Sequence, residues 1–173
     1  MTEADHPNTP ASSDNAGNSS TPKSPRPSLD PQQNPNLAAL QAYFDTYSSG
    51  NYEAIQGLLT DDVIHVTPFL AKGDLSPFLY VQGKQGKLAV LGHIKLNRDR
   101  YAQIKLVDQV STLAQDPNII FLETVGHLIL KKGSVHDHNR YIYKFVLRGG
   151  LIQHSYEYAN PVPFAEVFYL PLG

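Results

Sequence analysis

Glu157 is the residue of this chain best suited to moving a proton. It sits in "QHSYEYANPVPF", residues 153–164, between two tyrosines and just ahead of Asn160 and Pro161. A carboxylate in such company is either solvent-facing, paired with a cation, or enclosed. Enclosure disfavours the charged form, lifts the pKa toward neutrality and fits the group for general acid/base work. Imidazoles are the natural partners because they titrate nearest neutral pH. His93 lies in "GKLAVLGHIKLNRDRY", where helical spacing groups it with Ala89, Val90, Leu96 and Asn97. His127 and Glu123 fall at i and i+4 on one face of "IIFLETVGHLIL", and His65 lies in "VIHVTPFL". Plain structural roles compete with each: a satisfied core histidine, a polar cluster at a sheet edge, an ion pair between Glu157 and Lys144. "HDHN", residues 136–139, offers three potential metal ligands. Adjacent strand residues point to opposite faces, however, and no third cluster stands at ligand spacing. Solvated turn residues and no metal are expected there.

The bulk numbers narrow the chemistry. The chain has 173 residues, 41% of them hydrophobic, enough for one domain with a core. Lys+Arg of 14 against Asp+Glu of 16 leaves a formal charge of −2, and no basic run stands out, so nucleic acid is not an expected partner. Cysteine is absent, which removes thiolate catalysis, disulfides and thiolate metal sites. The start of the chain lacks a secretory pattern and no apolar run approaches the ~20 residues of a membrane span, so a cytoplasmic protein without a membrane partner is expected. A Gly-rich phosphate loop, a G-x-S-x-G elbow and a dinucleotide fingerprint are all missing, which points to chemistry without a cofactor.

Residues 1–35 are almost wholly Ser, Pro, Asn, Asp, Thr, Gln and Ala. Their composition buries too little surface to offset ordering the backbone, and a disordered tail is expected. The domain is expected over 36–173. Asn36 is placed to cap a helix carrying Leu37, Leu40, Phe44 and Tyr47 at helical spacing. "NYEAIQGLL" reads as a second short helix capped by Asn51, with Ile55, Leu58 and Leu59 inward. A strand follows, broken at Pro68, then a loop over 71–82 and a third helix over 86–101. Strands are expected at 104–113, 119–130, 140–147 and 151–158, separated by "DPN", "KKGS" and "RGG". Helices followed by antiparallel strands make an α+β plan, a curved sheet wrapped around helices. Strict alternation across a tight Gly149-Gly150 turn puts Glu157 on one face with Ser155, opposite Ile142, Lys144 and Val146. Tyr141, Tyr143, Phe145, Tyr156 and Tyr158 then fall on the other face unless a β-bulge intervenes. Packed outward, those aromatics would meet a second subunit, and a homodimer is expected.

The order of elements in "YFDTYSSGNYEAIQGLLTDDVIHV" resembles the opening of the nuclear-transport-factor-2-like superfamily of cone-shaped α+β domains. Three further stretches, "GKLAVLGH", "DPNIIFLETVGH" and "HNRYIYKFVLRGGLIQHSYEYANPVPF", are similar to the SnoaL-like group and within it to the phenazine biosynthesis A/B proteins. The resemblance covers roughly residues 37–165. It implies acid/base catalysis on a small carbonyl compound, with a last-strand glutamate at Glu157 and a third-helix histidine at His93. Asn97 stands where that pattern has a serine. His127, Glu123, Asn97, His65 and Tyr143 are the expected substrate-binding residues. The expected function is a cofactor-independent enzyme that cyclises, isomerises or condenses a carbonyl compound such as a polyketide or phenazine precursor. The alternative is a non-catalytic module of the same fold that holds a small apolar ligand or a protein partner.

Overall fold

The computed structural model describes residues 30–67, 79–81, 86–132, 136–160, 162–163 and 166. The elements in chain order are α1 (Pro35–Ser49), α2 (Tyr52–Gly57), β1 (Leu59–Thr67), β2 (Leu79–Val81), α3 (Lys87–Arg100), β3 (Tyr101–Leu113), β4 (Ile119–Leu130), β5 (His136–Arg148) and β6 (Leu151–Ala159). Most of the residues expected in a tail, and those of the 71–82 loop outside 79–81, lie outside the described residues.

Asn34, not Asn36, caps α1. Its side-chain oxygen accepts from the amides of Asn36 and Leu37, and Pro35 at the first helical position needs no acceptor of its own. The Asn36 side chain points elsewhere. It donates to Pro117 O at 3.1 Å and Asn118 Oδ1 at 3.2 Å, tying α1 to the turn between β3 and β4. Asn51 caps α2 as expected, accepting from Ala54 N. That helix stops at Gly57, so Leu59 opens β1 rather than closing a helix, and it is fully buried there. Tyr101 likewise belongs to β3, where it pairs with Leu130.

The sheet runs in the order β2-β1-β6-β5-β4-β3. Four of its pairings are antiparallel; β1 and β6 run parallel, which corrects the expectation of antiparallel neighbours throughout. β5 starts at His136, so "HDHN" is strand rather than turn. The helices cover one sheet face. Leu37, Leu40 and Phe44 of α1 and Val90 and Ile94 of α3 join Ile120, Leu122, Phe145 and Ile152 in one buried cluster. Each such side chain contributes on the order of 1.5–3 kcal/mol on leaving water. Leu96, read as part of the His93 face, is exposed instead.

Register decides what faces the helices. Gly149 and Gly150, at φ 61° and 77°, make the two-residue turn that needs left-handed backbone at both positions. Next to the turn Leu147 pairs with Ile152, but farther on Val146 pairs with His154, so β6 carries one extra residue at Gln153. This bulge reverses the facing of everything beyond it. Tyr143 comes opposite Glu157, and Phe145 opposite Ser155. The strict-alternation reading is thereby overturned: Tyr141, Tyr143 and Phe145 share the helix-covered face with Glu157. Lys144 lies on the other face, 5.4 Å from the Tyr156 ring, so it makes no pair with the acid.

Candidate active site

One cavity lies between the helices and the sheet. β6 gives it Ser155 and Glu157, β5 gives Tyr143 and Phe145, and β1 gives His65. Tyr43, Phe44 and Tyr47 enter from α1; His93, Ile94 and Asn97 enter from α3. Its free volume is about 30 Å³, the scale of a single water molecule.

Parallel pairing places His65 directly beside Ser155, and the two side chains meet at 2.8 Å through Nδ1 and Oγ. The other ring nitrogen, Nε2, lies 3.9 Å from Glu157 Oε2 and 3.4 Å from Thr67 Oγ1. The Glu157 side chain keeps 26% exposure, yet the aromatic enclosure is enough that burial raises its pKa from 4.5 to about 7. Burial acts on His65 in the opposite sense. It disfavours the imidazolium and, with His93 nearby, lowers the pKa to about 3, so His65 is neutral beside the acid. The His93 ring stands 5.1 Å from that of His65, and burial followed by Arg100 lowers its pKa too. Tyr43, Tyr47 and Tyr143 are held in the phenol form, first by burial and then by the Glu157 charge.

The arrangement is one carboxyl group poised at neutrality, two neutral imidazoles and three phenols around a small hollow. It can take up a proton, give it back, and donate hydrogen bonds to an oxygen that gains charge.

Five residues expected at a site converge here: Glu157, His93, Asn97, His65 and Tyr143. His127 and Glu123 do not. Both lie on the opposite face of the sheet, because β4 alternates and Leu122, Thr124 and Leu128 are its buried side chains. Glu123 is exposed, and His127 packs edge-to-face on His138 at 4.6 Å. Among the described residues no group of three or more His, Asp or Glu side chains is arranged to hold a metal ion. Tyr43, Tyr47 and Ser155 also line the cavity, and the amino-acid order alone does not single them out. The i, i+4 spacing of the two tyrosines on α1 is a usable signal, whereas Ser155 shows its role only through the β1–β6 register.

Asn139 closes the far end of the hairpin. Buried, it donates to Asn160 O at 2.8 Å and accepts from Asn160 N at 3.2 Å, pinning the chain as it leaves β6.

No protein-family model and no curated protein matches the chain. Solved structures do. A proposed isomerase from Bacillus subtilis is 16% identical with a TM-score of 0.68, over 80% of this chain and 96% of that one. A phenazine biosynthesis-related protein from Pseudomonas aeruginosa is 15% identical with a TM-score of 0.65, over 86% and 91%. A protein from Mycobacterium tuberculosis, solved with estradiol-17beta-hemisuccinate, is 20% identical with a TM-score of 0.58, over 74% and 95%. At these identities the likeness is one of architecture, and this chain has the α+β nuclear-transport-factor-2-like fold.

Proposed function

We propose that the cavity is the active site of a cofactor-independent acid/base enzyme that isomerises, cyclises or condenses a small carbonyl compound in a biosynthetic pathway. One observation carries the reading: a carboxyl group with its pKa raised to about 7 lines a hollow walled by phenols and imidazoles. As carboxylate, Glu157 removes a proton from the carbon next to a carbonyl, and the electron pair moves onto the carbonyl oxygen. Neutral donors around the hollow stabilise that oxygen. Glu157, now the acid, returns the proton to another carbon for isomerisation, while in a cyclisation the enolate carbon attacks a second carbonyl carbon and the proton goes to the new alkoxide.

The free volume admits such a substrate only if the half-buried Tyr47 side chain swings aside, the His93–Asn97 pair staying in place. Proteins of this fold solved with a steroid ester, or connected with phenazine biosynthesis, support a small cyclic or aromatic substrate.

A direct test is α-hydrogen exchange of cyclohexanone in heavy water, followed by proton NMR. The protein should accelerate exchange, and Glu157→Gln should lose on the order of 10²–10⁴-fold of that acceleration with the fold intact. No acceleration, or equal acceleration by the variant, sinks the assignment.

A homodimer belongs to the same reading. Val110, Phe121 and Ile142 lie exposed on the sheet face away from the helices, and a partner would cover them. Sedimentation equilibrium should give twice the chain mass, reverting toward a single chain in Ile142→Lys.

A further inference from the structure

Asn97 follows His93 by one turn of α3, and its amide nitrogen lies 3.0 Å from His93 Nε2. A side-chain amide nitrogen donates and has no lone pair to offer, so Nε2 must be the acceptor. A neutral imidazole carries one proton, and with Nε2 committed as acceptor that proton sits on Nδ1. We propose that Asn97 is a positioning residue that locks His93 as the Nδ1–H tautomer, making it a hydrogen-bond donor to the substrate oxygen and not a second base.

This rests on the acid/base reading given above, and it divides the labour at the site. Glu157 takes the proton from carbon, the electron pair moves to oxygen, and His93 meets that oxygen with Nδ1–H without surrendering its own proton. His65 has no equivalent lock, since its contacts at Ser155 and Thr67 are hydroxyls, which donate or accept as needed. The ionisable groups around His93 are Arg100 on its own helix, His65 from β1, Glu157 from β6, and the phenols of Tyr43 and Tyr47 from α1 and Tyr143 from β5. Arg100 and burial both oppose a second proton on the ring.

The test is nitrogen NMR on the full chain carrying ¹⁵N-histidine, with His93 assigned by its loss in His93→Gln. Between about pH 6 and 8 the wild type should show a pyridine-type Nε2 and a pyrrole-type Nδ1. In Asn97→Asp the carboxylate accepts, so the two resonance types should exchange places and the ring should titrate higher. Cyclohexanone exchange should drop by on the order of 10²-fold in that variant. Asn97→Gln, which keeps a donating amide, should retain the wild-type pattern. A protonated Nε2 in the wild type, or an unchanged pattern in a folded Asn97→Asp, overturns the lock. Should Asn97→Asp not fold, the wild-type spectrum decides alone. The NMR needs no substrate, so a correct tautomer in a protein inert toward cyclohexanone would sink the enzyme and leave the lock standing.

Discussion

Glu157 and His65 lie 3.9 Å apart, and burial favours the neutral form of both, with opposite consequences for stability. The folded chain keeps the Glu157 proton up to about pH 7, whereas the unfolded chain loses it near 4.5. Stability therefore falls as pH rises between those values, because folding must then hold a proton that the unfolded chain releases. His65 works the other way. The unfolded chain protonates it near 6.5 and the folded chain only near 3, so stability is lost as pH drops through that window. Melting temperatures across pH should separate the two. Glu157→Gln should be stabilised relative to wild type above about pH 7 and show little difference below about pH 4. His65→Gln should lessen the acid-side loss. Curves that run parallel to wild type would show that neither group is buried as described.

At the scale of elements, the sheet is shaped by departures from regular pairing. Asp108, at φ 52°, sits in a β3 bulge between Val107 and Val110, and bulges bend the strand that carries them. A Cβ on Gly126 of β4 would stand 2.6 Å from the Tyr141 ring, which lies against the glycine. Gly126→Ala should cost about 1–3 kcal/mol by denaturant titration as the ring is displaced. Deleting Gln153 tests the β6 bulge itself. With the extra residue gone, plain alternation still sets Val146 against His154 and Tyr143 against Glu157, so a chain that folds should keep the acid on the helix-covered face with its pKa still raised.

These departures also explain what can be read in the amino-acid order. The helices, the four long strands and the Asn51 cap follow from periodicity and turn residues, and the resemblance to a cone-shaped family points to the right fold. Glu157 and His93 are legible as candidates by residue type. Their surroundings are not, because a single inserted residue reverses a strand's facing and Gln153 has nothing in its side chain to announce a bulge. Glu123 and His127 mislead for the converse reason: alternation gives their common face correctly, but which face the helices cover is a tertiary fact. Asn36 looks like a cap, yet Asn34, two residues earlier and followed by proline, has the better chemistry.

On the scale of the whole molecule, the first described turn is tied at Asp30, whose side chain accepts from Gln32 N and whose carbonyl accepts from Asn34 N. The composition of residues 1–29 offers little to bury. A chain starting at Asp30 should melt within about 1 kcal/mol of the full-length protein, a difference that calorimetry resolves. A larger loss would mean that the leading segment packs on the domain.

The parallel partnership of β1 and β6 joins His65 to Ser155 across 90 residues of sequence. Contacts so remote along the chain are slow to form, since a long loop must close before they repay its entropy. The β3–β4 and β5–β6 hairpins can zip locally long before then. Refolding should therefore restore far-ultraviolet ellipticity first and cyclohexanone exchange last, so that competence for chemistry marks the final event in the maturation of this chain.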